Sequence, residues 1–323
     1  MHGDRASDMR RTIEGMDRIQ REKTTWRLRS RTLEAGARTL VMGVVNITPD
    51  SFSDGGTFLD PEKAVEQALK HLEEGADLID LGAESTRPGS QAGGAEGAAD
   101  APAVSADEEQ ARLLPVLQGL LAARPDAVVS ADTYKAATAR VAVKAGAEIV
   151  NDVSGFAWDK EMAKVCAEFR CGVVLMHTRG RPEAWRTQPT LPADELMAAV
   201  RAGLEASVEA ATAAGVAREA IVLDPGYGFG KRFDENYTLL ARQAELLTLG
   251  RPLLAGVSRK SFLGHTLATL HGGVTARAVE RETASIAALV AAILQGTSIV
   301  RVHAVRPAVE AARIADAVLA ARS

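Results

Sequence analysis

Short apolar runs alternate with longer helical stretches along most of the chain. The runs are rich in Val, Ile and Leu: LVMGVV (40–45), LIDLG (78–82), AVVSA (127–131), EIVND (148–152), GVVLMH (172–177), IVLD (221–224), LLAGVS (253–258) and SIVRVH (298–303). Each run ends in a polar cluster. An Ala/Leu-rich segment with helical spacing then follows, as in PEKAVEQALKHLEEG, YKAATARVAVKAG and ADELMAAVRAGLEASVEAATAAG. Several of these segments end in glycine, the residue favoured just past a helix C-terminus. The last run leads into PAVEAARIADAVLAAR, an eighth helix. Apolar strands without clean alternation indicate a sheet buried on both faces. Their alternation with helices indicates parallel strands joined by right-handed crossovers. Eight such units over roughly 260 residues have the size of an α/β (β/α)8 TIM barrel. The competing architecture, an open doubly wound sheet, places a Gly-rich turn after its first strand. No GxGxxG follows Val45, so the closed barrel is the expectation.

The segments outside this rhythm read differently. WRLRSRTLE alternates bulky apolar with basic residues before AGARTL turns into the first barrel strand, which predicts an N-terminal hairpin. Residues 1–25 are polar and mix both charges, the composition of a disordered tail, and leave 26–323 as a single domain. GSQAGGAEGAADAPAVSA (89–106) has few large apolar residues to bury and reads as a flexible Gly/Ala-rich insertion.

Composition narrows the functional classes. The 323 residues are 46% hydrophobic and 25% charged, the balance of a soluble globular protein. The net charge is −4, with 38 basic against 42 acidic side chains, which argues against a nucleic-acid partner. Cys166 and Cys171 are too few for a disulfide scaffold and match no zinc spacing, so core thiols in a reducing compartment are expected. No apolar run reaches the ~18 residues of a membrane span. The N-terminus carries no apolar signal core. A cytoplasmic protein without membrane partners is the default expectation.

In a TIM barrel the active site forms at the C-terminal ends of the strands. In strand order those ends carry Asn46; Glu84, Ser85, Thr86 and Arg87; Asp132 and Thr133; Asn151 and Asp152; Met176 and His177; Asp224; Ser258, Arg259 and Lys260; and Arg301 and His303. One acidic residue after a strand is ordinarily the N-cap of the next helix. The set carries more information. Carboxylates and amides grouped at one side suit a polar heterocycle with N–H donors and ring acceptors. Cations at strands seven and eight suit an anion, phosphate above all, at the place where this architecture commonly holds one.

Seven blocks, NITPDSFSDGG, ESTRPGS, ADTYK, NDVSG, LDPGYGFGK, VSRKSFLG and RVH, resemble in order and spacing the signature blocks of the dihydropteroate synthases, over residues 26–318. The resemblance implies a pterin-binding barrel. It would condense 6-hydroxymethyl-7,8-dihydropterin diphosphate with 4-aminobenzoate to 7,8-dihydropteroate and diphosphate, with Mg2+ aiding diphosphate departure before the arylamine attacks. By resemblance Asp132, Asn151, Asp224 and Lys260 bind the pterin ring and Met176 lines the pocket floor. Arg301 and His303, two apart and therefore on one face of the strand, grip the diphosphate. Together with Lys260 they form the expected catalytic set. Asn46 matches the magnesium contact, adequate if the diphosphate brings the ion with it. Thr86 and Arg87 on the second loop, and Asp50, Ser51 and Phe52 on the first, would close over the site. Phe229, Pro88, Ser261 and the start of the helix after SRK resemble the aminobenzoate pocket. The resemblance also implies a homodimer; the alanine-rich segments 280–295 and 306–321 are the expected interface, though packing against the barrel explains them equally well. The chain departs from the pattern in its 91–103 insertion, in Ala304 after RVH, and in Arg179 and Arg181 after strand five. Two other readings share the barrel: a corrinoid-linked methyltransferase, which needs no diphosphate grip, and a pterin-binding paralogue without synthase activity.

Overall fold

The computed structural model describes residues 21–48, 60–84 and 104–321. Asp50, Ser51, Phe52, Thr86, Arg87 and Pro88, most of the 89–106 insertion and residues 1–20 lie outside the described residues.

Strands β1 (Thr24–Arg27) and β2 (Thr32–Ala35) form the predicted antiparallel hairpin, with Trp26 opposite Leu33. The other strands are β3 (Leu40–Asn46), β4 (Leu78–Gly82), β5 (Val129–Asp132), β6 (Ile149–Asp152), β7 (Gly172–Met176), β8 (Ile221–Asp224), β9 (Leu254–Ala255) and β10 (Ile299–Val302). They make one parallel sheet in the order β8-β7-β6-β5-β4-β3-β10-β9. A parallel bridge between Leu223 and Leu253 joins its two ends, so the sheet is a barrel and not an open layer. The helices are α1 (Pro61–Glu73), α2 (Ala106–Ala123), α3 (Ala136–Lys144), α4 (Met162–Phe169), α5 (Ala193–Ala213), α6 (Phe233–Arg242), α7 (Ser261–Thr266), α8 (Glu282–Leu294) and α9 (Val305–Ala320). Asp60 caps α1 by accepting from the Glu62 amide, and Pro61 fills its first turn. Ser105, at the end of the predicted insertion, caps α2.

Strand seven of the barrel is the one that differs most in extent from its apolar run. Only Leu254 and Ala255 are regular, because Pro252 has no N–H to give and the chain turns away towards Ser258 after Gly256. Carbonyls replace the missing ladder: Pro252 accepts from Leu223 at 3.0 Å, and Leu253 from Ser298 at 2.9 Å.

Alternation inside the barrel builds the interior in layers. At the base, Leu40, Met42, Leu78, Val128, Ile149, Val174, Val222, Leu254 and Ile299 form one apolar cluster with Trp26 and Leu28 of the hairpin. The Trp26 indole N–H donates to the Ala220 carbonyl at 2.9 Å, so the fully buried ring keeps its polar atom satisfied. The hairpin is therefore the plug of the barrel. Outside the strands a second, larger cluster fills the space under the helices. Among the described residues no helix is long and apolar enough to cross a membrane.

Candidate active site

One step up each strand from the apolar base, the same interior rows turn polar. Asp80 lies in the middle of β4, fully buried, opposite Val44 and Ser130 in the register. A carboxylate there is tolerable only if paired. It is: Asp80 Oδ2 accepts from Arg301 Nε at 2.6 Å and from Asn151 Nδ2 at 3.1 Å. The other fork of Arg301, Nη2, donates to Asp132 Oδ2 at 2.6 Å. One guanidinium thus spans two carboxylates contributed by β4 and β5. Burial opposes its charge, but Asp80 and Asp132 outweigh that and hold its pKa above the ordinary arginine value. The Asp132 carboxyl is pushed up to about 7 by burial and by its acidic neighbours, with Arg301 pulling the other way. The sequence suggested acids on one side and cations on the other. In the folded barrel they are in contact, because closing the sheet puts β10 beside β3 and within reach of β4.

Asp224 ends β8. Its Oδ1 accepts from the Gly226 amide at 2.7 Å, which aims the carboxylate while burial pushes its pKa up. Lys260 follows a turn in which Arg259 is left-handed, with φ of 58°. That costs a non-glycine residue roughly 1 kcal/mol, offset by bonds to the start of α8. The Arg259 amide donates to Ser285 Oγ at 2.8 Å, and its carbonyl accepts from Arg281 at 2.8 Å. Lys260 Nζ sits 3.8 Å from the centroid of the Phe229 ring. Burial pushes its pKa down to about 7, with Asp224 pulling upward. Phe229 in turn meets Trp185 edge-on at 5.0 Å. Met176 is buried against Tyr134, Val153, Trp158 and Phe229. His303 Nδ1 is 3.0 Å from Ser258 Oγ, which also accepts the His303 amide at 3.3 Å. The Ser258 hydroxyl thus fixes the orientation of the His303 ring.

The match to the pterin binding enzyme family runs over residues 42–303. The dihydropteroate synthase of Synechocystis sp. is 40% identical over 282 residues, which is 87% of this chain and 91% of that protein. This chain belongs to the dihydropteroate synthase family. The dihydropteroate synthase of Xanthomonas albilineans, solved with 4-aminobenzoic acid, superposes with a TM-score of 0.79 at 38% identity, over 93% of this chain and 99% of that one. The mitochondrial folate synthesis bifunctional protein of Pisum sativum is 38% identical over 303 residues, and the alignment takes in 90% of this chain but 55% of the pea protein.

Among the residues read from strand ends in this dihydropteroate synthase family member, Asp132, Asn151 and Arg301 share one hydrogen-bonded cluster through Asp80. Lys260 and Phe229 form a second, with Met176 packed beside Phe229. Asn46 ends β3, half-buried, opposite Gly82. Ser261 is exposed at the start of α7, which has only six residues, so any carboxylate there would rest on the hydroxyl and not on a helix dipole. Asp152 and His177 turn away from the mouth. Asp152 accepts the amides of Ser154 and Phe156 and holds its turn, and His177 packs against Gly203 of α5. Glu84 pairs with Lys135, which lies 3.4 Å from the buried Glu109. Two residues escaped the reading by strand ends. Asp80 sits inside an apolar run, and a charge there that must find a partner was the available signal. Lys231, within LDPGYGFGK, is buried on three backbone carbonyls. Among the described residues no group of three or more His, Cys, Asp or Glu side chains could hold a metal ion.

Proposed function

We propose that this chain joins 6-hydroxymethyl-7,8-dihydropterin diphosphate to 4-aminobenzoate, yielding 7,8-dihydropteroate and diphosphate. The observation that carries this reading is the convergence of Asp80, Asp132, Asn151 and Arg301 in one buried cluster, with Asp224 and Lys260 at the same mouth. Buried carboxylates accept the N–H groups of an aminopyrimidinone, and an amide and an ammonium meet its ring acceptors. Met176 supplies the apolar floor. Arg301 is planar and can lie on the ring face while offering N–H groups to phosphate. His303, its ring oriented by Ser258, would add a second contact to the phosphate. Phe229 and Ser261 would face the arylamine, the first by its ring and the second by its hydroxyl on the carboxylate. Thr86 and Arg87 would complete the site from the second loop.

The reaction breaks the bond between the pterin methylene and the diphosphate oxygen, and the electron pair leaves with the diphosphate. The arylamine nitrogen lone pair then forms the new C–N bond, and the nitrogen gives up a proton. Arg301, His303 and Lys260 stabilise the departing charge, and the walls of the pocket hold the arylamine nitrogen towards the methylene carbon that the diphosphate oxygen leaves. A Mg2+ ion carried in by the diphosphate and touched by Asn46 would neutralise further negative charge on the leaving group. No strong base is required, because an aniline is already neutral near pH 7.

The test is an assay of dihydropteroate and diphosphate formation from both substrates with Mg2+. Synthesis should need each substrate, and should stop with chelator and return with Mg2+. No dihydropteroate from the complete mixture of both substrates and Mg2+ would overturn the reading. Methyl transfer from a methylated tetrahydropterin to a corrinoid would support the methyltransferase alternative, which needs no diphosphate grip. A paralogue that only binds would take up the pterin and make nothing. We further propose a homodimer through the face of α9, where Ile314 is 69% exposed, testable by light scattering with Ile314→Lys. A cytoplasmic setting suits the two buried free thiols, Cys166 and Cys171.

A further inference from the structure

Lys231 belongs to a sequence block that the strand-end reading left without a role, and its environment is unusual. It is 6% exposed. Its three donors are all spent on backbone: Nζ donates to the Gly226 carbonyl at 2.8 Å, the His177 carbonyl at 3.2 Å and the Phe229 carbonyl at 3.3 Å. A buried cation held by carbonyl dipoles is expensive compared with a well-packed apolar residue. Simple cohesion does not call for one.

What those carbonyls belong to gives the reason. His177 is the first residue after β7, and Gly226 and Phe229 belong to the turn after β8. The turn lies backbone against backbone on the end of β7. A Cβ at Gly226, whose φ is 73°, would stand 1.9 Å from the His177 carbonyl oxygen. The Gly226 amide in turn donates to Asp224 Oδ1. The Phe229 ring carries Lys260 Nζ on its face. One ammonium is thus a single residue away from the carboxylate at the pterin side and from the ring at the arylamine side.

We propose that Lys231 is a positioning residue for the synthase reaction, bracing the β8 turn against β7 so that Asp224 and Phe229 present the pterin-binding carboxylate and the arylamine-facing ring in fixed relation. This rests on the function proposed above. The brace also acts through charge. Asp224 faces Lys260, Lys231 and Arg301 as cations, and Lys231 faces Asp224, Lys260, Arg179 and Glu235. Burial pushes Asp224 up, and the Gly226 amide, then Lys260 and Lys231, partly restore it. Burial pushes Lys231 down to about 7, so below that pH the ammonium is charged. Asp224 accepts pterin N–H groups as a carboxylate, so affinity is present above its pKa and lost as pH falls through it. Removing the Lys231 charge raises that pKa and brings the loss on at higher pH.

Two variants separate charge from geometry. Lys231→Met should raise KM for 4-aminobenzoate at least tenfold and move the acid limb of pterin diphosphate binding, measured by calorimetry, upward by about one pH unit. Gly226→Ala keeps the ammonium but forces the turn off β7. It should raise both Michaelis constants, and any movement of its acid limb comes through the Gly226–Asp224 bond and not through loss of the ammonium. A purely structural lysine would lower the yield of folded protein without moving the limb. Unchanged Michaelis constants and an unmoved limb in folded Lys231→Met overturn the proposal. If that variant does not fold, Gly226→Ala decides, and unchanged constants for both substrates overturn it. A wild-type chain that binds pterin diphosphate but forms no product counts against the synthase reading alone, since the binding limb still tests the brace.

Discussion

At the base of the barrel Met42, Leu78, Ile149, Val174 and Ile299 close on Trp26 and Leu28. Higher on the same strands, at the same interior parity, stand Asp80, Asp132, Asn151 and Arg301. The base is held by apolar burial, which is non-directional and tolerant of the partner's identity. The mouth is held by charge-assisted bonds that fail if any one member leaves. The stability of the fold and the chemistry of the site are therefore carried by different ends of the same eight strands. Substitutions at the two ends should separate accordingly.

The largest effect is expected at the mouth. Arg301→Ala leaves Asp80 and Asp132 buried together without their cation and removes the guanidinium from the substrate, and should lower kcat/KM for pterin diphosphate by roughly 10²–10⁴-fold. A variant within threefold of wild type in steady-state assays would remove Arg301 from the site. At the base, Trp26→Ala should cost about 3–5 kcal/mol of stability, read as a lowered urea midpoint, with KM values unchanged in the protein that remains folded. A shift in KM there would mean that the plug and the mouth are coupled. Asp80→Asn is intermediate. It keeps shape but withdraws one of the two charges on Arg301, and should lower kcat/KM about 10–100-fold with a smaller midpoint shift than Trp26→Ala. The smallest effect is in the pH profile. Lys260, with its pKa pushed down to about 7, is charged below that pH and loses its proton above it. Then kcat/KM for pterin diphosphate should fall a few-fold towards alkaline pH. Lys260→Arg, whose charge persists, should lack that limb whatever its overall rate.

The strand runs were legible because periodicity and polar punctuation are local properties. The runs at 78–82 and 221–224 coincide with β4 and β8, and the others differ at their ends by one or two residues, except β9. There Pro252 and Gly256 shorten the regular strand. Residues at the strand ends were legible as a set, and which way each one faces was not. Asp152 and His177 have the composition of site residues, yet one holds its own turn and the other packs on α5. Asp80 was hidden by its own position, since a search of strand ends passes over a charge in mid-strand.

The order of strands and helices, the hairpin and the residue types at the mouth followed from the chain alone, because each depends on neighbours within a turn or two. The contacts that define the site did not. Arg301 meets Asp80 across 221 positions and Asp132 across 169. Only closure of the sheet, sealed by the Leu223–Leu253 bridge, brings β10 next to β3 and turns a list of charged residues into one buried cluster.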